Sequence, residues 1–134
     1  MAPGDTVAAA PSSLSYMQIS SATPASLPGF IDYEKARWHG TFQPKPLALY
    51  FSSSRAKRCQ EQKQILSAFN SQKWADRVIL AELEITRFPQ IAQQYGVFRV
   101  PYWIFFDARG NALYQSGDIL DVSNLEYFLG QLAK

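Results

Sequence analysis

The residue with the clearest chemical potential is Cys59, the single cysteine of the chain, in the segment YFSSSRAKRCQEQK. An apolar run precedes this segment, and a helical pattern begins beside the cysteine. A second thiol at position 56 would complete a dithiol redox centre, but the residue there is Ala56. Disulfide exchange needs one thiolate that attacks and a second thiol that releases the mixed disulfide. Dithiol oxidoreductase activity is therefore not expected.

The composition fits one globular domain with a core of its own. The chain has 134 residues, of which 47% are hydrophobic, and this is enough apolar surface to offset the entropy of ordering the backbone. The net charge of +2 is too small to attract nucleic acid by electrostatics alone. No apolar run approaches the roughly 18 residues that are needed to cross a bilayer. We therefore expect neither a nucleic-acid partner nor a transmembrane segment.

One cysteine and one histidine also limit the site chemistry. A structural zinc site needs about four Cys or His ligands, and an internal disulfide needs two thiols. We therefore expect no metal site and no cofactor. Cys59 can form a disulfide only with another molecule.

Residues 1–29 differ in composition from the rest of the chain. They contain one charged residue, Asp5, and are rich in Ala, Pro and Ser. The basic segment and the apolar segment of an intact signal peptide are missing. We expect a flexible leader over 1–29 and one domain over 30–134. Such a start is typical of a mature exported protein, so we expect a periplasmic or otherwise exported location, with the cytoplasm as the alternative.

The first half of the domain predicts a helix, a strand and a second helix. Asp32 suits the N-cap of a short helix that ends at Gly40. The apolar run over 47–51 is typical of a buried strand. From about Lys57 to Asn70, the spacing of the apolar residues predicts a helix.

The second half continues the alternation of strands and helices. A strand is predicted over 78–85, followed by a helix with Pro89 in its first turn and Gly96 at its end. The segment VPYWIFF predicts a strand, DARGN a turn, and ALYQ a further strand of a hairpin, before a final helix over 122–132. Crossover connections place parallel strands beside each other. We therefore expect an α/β fold with a central mixed β-sheet of four or five strands and helices on both faces.

Three segments of the chain resemble the thioredoxin superfamily. KPLALYFSSSRAKRC resembles the strand, loop and helix start that carry Cys-x-x-Cys in thioredoxins. QQYGVFRVPYWIFF is similar to the family's YGV…VP segment, in which the peptide before the proline is cis, and FFDARGNALYQSG is similar to its hairpin. The resemblance covers about 31–134, and the leading DYEKA segment resembles the thioredoxin-like domains of exported bacterial thiol:disulfide interchange proteins. It implies a thioredoxin-like fold.

The resemblance also implies a role for each position around Cys59. In the family, the first cysteine lies five residues after the strand phenylalanine, and the second lies eight after it. Counted from Phe51, these positions are Ala56 and Cys59, so alanine holds the attacking position and Cys59 the resolving one. We interpret the stretch from Ala56 to Cys59 as an A-x-x-C remnant. The residue before Phe51, often an acid that assists proton transfer in thioredoxins, is Tyr50.

Two interpretations of Cys59 stay open at this point. One turn inside a helix a thiol usually faces the core, so Cys59 is either a small buried hydrophobic residue or a reactive monothiol. Four cations surround it in sequence, and they would stabilise a thiolate if they approached it in space; they are Arg55, Lys57, Arg58 and Lys63. A charge cluster at a helix start is more often a solvated surface.

A second group of residues suits binding rather than catalysis. The resemblance implies that the backbone N–H and C=O of Val100, before Pro101, are free to pair with an extended peptide, a form of strand addition that needs no thiol. The alternative is that Pro101 only shapes a loop. Arg99 could join Lys57 and Arg58 in a basic rim that selects an acidic partner or a small anion such as glutathione.

Two functional hypotheses follow from these residues. The first is a binding or adaptor module that has lost dithiol catalysis and recognises an extended peptide or a partner protein. Its expected binding residues are Ala56, Lys57, Arg58, Arg99, Val100 and Pro101. The second is a monothiol disulfide oxidoreductase or redox sensor that acts through mixed disulfides of Cys59.

Two acidic residues, Glu82 and Glu84, alternate within the strand predicted over 78–85. Residues two apart in a strand share one face. They could point one carboxylate beneath the helix of Cys59, but we expect them on a solvated or edge face.

Overall fold

The structure of the protein, a computed structural model, describes residues 27–34, 36 and 44–134. The predicted leader lies outside the described residues up to position 26, and so does the predicted helix end at Gly40. Where that helix was expected to begin, the Asp32 carboxylate accepts a hydrogen bond from the N–H of Glu34 (3.1 Å), as an N-cap does. Tyr33, Glu34 and Ala36 are helical.

The centre of the fold is a mixed β-sheet. Its five strands are β1 (Ile31–Asp32), β2 (Leu47–Ser52), β3 (Ile79–Glu84), β4 (Tyr102–Phe106) and β5 (Ala112–Ser116). In space their order is β1-β3-β2-β4-β5. The first three are parallel, whereas β4 is antiparallel to β2 and β5 is antiparallel to β4. The predicted mixed sheet is confirmed.

The described part of the chain contains three α-helices with defined ends. They are α1 (Lys57–Ile65), α2 (Pro89–Gln94) and α3 (Val122–Leu132), and short 3-10 helices follow α1 at Leu66–Ala68 and Ser71–Lys73. The predicted helix up to Asn70 is therefore too long. Asn70 has an extended backbone (φ −95°, ψ 94°), and its side chain accepts a hydrogen bond from the N–H of Gln72. It caps the next 3-10 helix, and so it cannot continue α1.

Alternation along the strands divides the core into two layers, because successive side chains of a strand point to opposite faces. The α1–α3 layer contains the strand residues Ala48, Tyr50, Leu80, Trp103 and Phe105, together with Leu66, Leu125 and Leu129. The α2 layer contains Leu49, Phe51, Ala81, Leu83, Ala92, Val97 and Ile104. Helices thus cover both faces of the sheet, as predicted.

Residues 27–30 close the α1–α3 layer next to the strands. The ring of Phe30 contacts those of Phe69 and Trp103, with centroids 6.3 and 5.9 Å apart. Gly29 has a φ of +81°, and a Cβ atom there would lie 1.8 Å from Oγ of Ser71. The backbone conformation and the close approach both require glycine at this position.

Candidate functional site

The candidate site lies at one end of the sheet. Phe51 pairs with Tyr102 in the antiparallel β2–β4 ladder, so the loop after β2 and the loop before β4 leave the sheet side by side. Ser116 pairs with Trp103, which brings Gly117 to the same end. The structure groups here all the site residues predicted from the sequence, namely Ala56, Lys57, Arg58 and Cys59 after β2, and Arg99, Val100 and Pro101 before β4.

Ala56 is the N-cap of α1 and is half-buried. Its extended backbone (φ −87°, ψ 124°) starts the helix, and its N–H donates to the carbonyl of Ser53 (3.1 Å). No side chain caps this helix end, and the first turn contains no acidic residue. A thiol here would gain from the helix dipole, which stabilises a thiolate. The methyl group of Ala56 can neither attack a disulfide nor hold a charge.

Cys59 lies inside α1 and is 7% exposed. Burial raises the pKa of its thiol, and hydrogen bonds with the Ser53 backbone and the Tyr50 hydroxyl counteract part of this rise. The carboxylates of Glu82 and Glu84 raise the pKa further. Because the thiolate is the nucleophilic form, a raised pKa and a covered sulfur both disfavour exchange chemistry at Cys59.

The cations around Cys59 in the sequence do not enclose it in space. Arg55, Lys57, Arg58 and Lys63 are all exposed. None of them forms an ion pair among the described residues, where ion pairs involve only Lys73 and Arg87 as cations. These four side chains therefore form part of the solvated surface, and the groups facing the thiol are Tyr50 and the two carboxylates.

Tyr50 stands where an acid is often found in thioredoxins, and it is 1% exposed. Its ring stacks on that of Trp103, with centroids 4.6 Å apart. Burial raises the pKa of its hydroxyl, and the contact with Cys59 raises it further. Tyr50 therefore stays neutral at physiological pH. It supplies a hydrogen bond to the sulfur rather than a base.

Glu82 corrects an expectation from the sequence, because it is 6% exposed rather than solvated. Its Oε1 accepts a hydrogen bond from the N–H of Leu27 (3.2 Å), and its Oε2 accepts one from the hydroxyl of Ser52 (2.6 Å). β3 lies between β1 and β2, so it is not an edge strand. The segment that begins at Leu27 covers the face of the sheet on which Glu82 lies. A buried carboxylate thus sits beside Tyr50, one strand away from the position at which the family often has an acid.

Glu84, two residues further along β3, is half-buried. Its Oε1 accepts hydrogen bonds from the hydroxyl and the N–H of Thr86, and its Oε2 is buried without a partner among the described residues. Thr86 belongs to the turn that follows β3. Glu84 therefore fixes this turn and, unlike Glu82, keeps part of its surface in contact with solvent.

Gln62 is a buried residue of α1 that no sequence pattern indicated. It is 0% exposed, and its Nε2 donates to the carbonyl of Leu120 (2.7 Å). Its Oε1 accepts from the indole N–H of Trp103 (3.1 Å) and from the N–H of Leu120 (2.9 Å). One side chain thus joins α1 to β4 and to the segment before α3. It holds the helix that carries Ala56 and Cys59 against the sheet.

The loop before β4 contains a cis peptide bond between Val100 and Pro101. Val100 is half-buried, and Pro101 is buried. No backbone hydrogen bond joins Val100 to any other described residue. Its N–H and C=O lie beside the first residues of β4, whose backbone pairs with β2. Val100 therefore offers one donor and one acceptor next to an existing ladder.

Arg99 and Phe98 project from the same loop. Phe98 is 84% exposed, the highest value among the exposed large hydrophobic residues in the described part of the chain. The Arg99 guanidinium lies against Gly117, where a Cβ atom would be 2.8 Å from one of its terminal nitrogens. The site end of the sheet thus carries an exposed ring and a cation that lies next to the Gly117 backbone.

Other kinds of site find no support in the described residues. No group of three or more His, Cys, Asp or Glu residues in that part of the chain is arranged to hold a metal ion. None of the described helices combines the length and the apolar character that a membrane crossing needs.

Comparison with known proteins finds similarity in the fold but not in the sequence. No protein-family model matches this sequence, and no curated protein is significantly similar to it in sequence. Thioredoxin NaTrxh from Nicotiana alata superposes with a TM-score of 0.67 at 15% identity, over 84% of this chain and 100% of that one. A mutant thioredoxin from Halobacterium salinarum gives 0.64 at 16% identity, over 84% of this chain and 96% of that one.

A third similar structure is the germline-specific thioredoxin Deadhead from Drosophila melanogaster. It superposes with a TM-score of 0.62 at 17% identity, over 75% of this chain and 90% of that one. At such low identity the likeness concerns architecture, and it agrees with the strand order and with the helices on both faces. The chain therefore has a thioredoxin-like fold.

Proposed function

We propose that this protein is a thioredoxin-fold binding module that does not catalyse dithiol exchange and that recognises an extended peptide or a segment of a partner protein. The binding surface, called here the Val100 surface, consists of Ala56, Lys57, Arg58, Arg99, Val100 and Pro101. The loops that carry these residues leave the sheet side by side.

The observation that carries this proposal is the unpaired backbone of Val100. Neither its N–H nor its C=O has a backbone partner among the described residues, although the chain enters a paired strand two residues later. Backbone polar groups seek hydrogen bonds, and an extended segment laid along Val100 would satisfy both groups. Strand addition of this kind uses main-chain bonds for affinity and neighbouring side chains for specificity.

The chemistry of α1 supports binding over exchange. Ala56 presents a methyl group at the start of the helix, and Cys59 is covered with its pKa raised by burial. A monothiol oxidoreductase or sensor would need an accessible sulfur that ionises readily, so the same facts argue against the second hypothesis.

Selection from an unbiased library of displayed peptides tests the proposal. The immobilised protein is expected to enrich peptides that bind wild type but not an Ala56→Trp variant, because an indole at the start of α1 adds bulk within the Val100 surface. Ala108→Trp is the matched control, since Ala108 is exposed in the turn at the opposite end of the β4–β5 hairpin. Enrichment of no peptide, or of peptides that bind both variants equally, would contradict the proposal.

A further inference from the structure

We propose that the segment bound at the Val100 surface is acidic, with a carboxylate that pairs with Arg99 and an adjacent apolar side chain that packs on Phe98. This inference rests on the proposed function and names its partner class. It follows from the charges, the exposed ring and the position of the Arg99 side chain.

Four cations lie on or next to the Val100 surface, and none of them is neutralised within the described residues. Arg55, Lys57, Arg58 and Arg99 are exposed and form no ion pair there. The acids at this end of the sheet are Asp118, which is exposed next to Gly117, and the half-buried Glu84, which pairs with Ser52 at the end of β3. The surface thus has an excess of positive charge, which attracts an acidic segment and repels a basic one.

The Arg99 side chain lies next to the loop after β5. Its guanidinium lies on the backbone of Gly117, with its Nε 3.2 Å and its Cζ 3.4 Å from the position of a Cβ there. The absence of a side chain at position 117 creates the space that the guanidinium fills. A planar guanidinium is suited to bidentate pairing with a carboxylate.

Phe98 supplies the apolar contact. It is 84% exposed, one residue from Arg99 and two from Val100. Aromatic residues, phenylalanine included, and arginine are enriched in protein–protein interfaces. A partner strand that pairs with Val100 can therefore place an apolar side chain and an acidic side chain at neighbouring positions of the loop.

The test uses the full chain and three fluorescein-labelled synthetic peptides of equal length. They share a central Leu-Val-Phe, flanked by glutamates, glutamines or lysines. Fluorescence anisotropy at low ionic strength is expected to show the glutamate peptide binding about tenfold more tightly than the glutamine peptide, with weaker binding still for the lysine peptide. Added salt is expected to reduce this difference, because it screens exposed charges.

Variants assign the preference to individual residues. Arg99→Gln is expected to remove most of the difference in affinity between the glutamate and glutamine peptides. Gly117→Ala is expected to do the same, because the added methyl group displaces the Arg99 guanidinium. Arg109→Gln, an exposed cation at the opposite end of the sheet, is the matched control and is expected to leave it unchanged. Phe98→Ala is expected to weaken all three peptides alike, whereas Tyr127→Ala, also exposed, is expected to change none.

Two outcomes overturn the inference and separate it from the proposed function. If the three peptides bind equally and Ala56→Trp weakens all of them, the Val100 surface binds peptides without selecting acids, and only the inference fails. If the glutamate peptide does not bind, the inference fails as well, and the library selection decides the proposed function on its own.

Discussion

Tyr50 and Glu82 lie opposite each other on the neighbouring parallel strands β2 and β3, and both act on the thiol of Cys59 in α1. The Tyr50 hydroxyl lies beside the sulfur, while the Glu82 carboxylate accepts hydrogen bonds from Leu27 and Ser52. The thiol therefore faces a neutral phenol and a negative charge. Neither of these can act as the cationic partner that makes a cysteine reactive.

The first prediction concerns the pH dependence of stability. The pKa of Cys59 in the folded chain lies above its ordinary value of 9.0. Above pH 9.0 the unfolded chain loses the thiol proton while the folded chain keeps it. The contribution of Cys59 to the free energy of unfolding is therefore fully present below pH 9.0, and it is lost as pH rises through the folded pKa. For one group this loss is at most about 1.4 kcal/mol per pH unit.

Urea unfolding followed by tryptophan fluorescence between pH 7 and pH 10.5 measures this slope. Cys59→Ala is expected to reduce the slope of the free energy of unfolding against pH. The decline in stability that remains above pH 10.0 belongs to Tyr50, whose pKa is also raised by burial.

Alkylation of Cys59 by iodoacetamide at pH 8 is expected to be at least about tenfold slower in the folded chain than in urea. Equal alkylation rates in the two states would show that the sulfur is accessible.

The second prediction concerns Glu82. Replacement by alanine removes the acceptors for the Leu27 N–H and the Ser52 hydroxyl and leaves a cavity, so Glu82→Ala is expected to lower the free energy of unfolding by about 2–4 kcal/mol. Glu82→Gln keeps one carbonyl acceptor and an amide that can donate to Ser52, and it is expected to cost less. Exposed Glu61 provides the control, since Glu61→Ala is expected to change stability by no more than about 0.5 kcal/mol. Similar losses for Glu82→Ala and Glu61→Ala would refute this role.

The third prediction concerns Gln62. Gln62→Ala leaves the indole N–H of Trp103 and both backbone groups of Leu120 without their partner, at an expected cost of about 2–4 kcal/mol. Gln60→Ala, on the exposed side of the same helix, is expected to change stability by less than about 0.5 kcal/mol. Equilibrium unfolding in urea compares the two. A loss at Gln62 no larger than at Gln60 would mean that water replaces the network.

The sequence predicted the helices and strands whose apolar residues recur at regular spacing and missed short elements such as β1. The apolar runs of β2, β3 and β4 and the stripe of Leu125, Leu129 and Leu132 in α3 identify strands and a helix by spacing alone. The strand β1 has two residues, Ile31 and Asp32, which is too few to show alternation. Its pairing with β3 comes from tertiary contact rather than from a local pattern.

The polar interior beneath α1 could not be predicted for a related reason. Glu82 and Glu84 look alike in a strand pattern, and only the chain packed over β3 decides that Glu82 is buried while Glu84 is not. Gln62 lies in the polar run QEQKQ, where its neighbours Gln60, Glu61 and Lys63 are all exposed. A buried amide is identified by its partners, here Trp103 and Leu120, and both are distant in the chain.

The central claim is that the chain lacks the nucleophile of disulfide exchange. Insulin reduction with dithiothreitol as the electron source tests it most directly, with wild type, Cys59→Ala and Ala56→Cys compared at equal concentration. We predict that wild type and Cys59→Ala precipitate insulin no faster than dithiothreitol alone, and that Ala56→Cys accelerates the reaction because it completes a dithiol across the first turn of α1. Acceleration by wild type that disappears in Cys59→Ala would contradict the account.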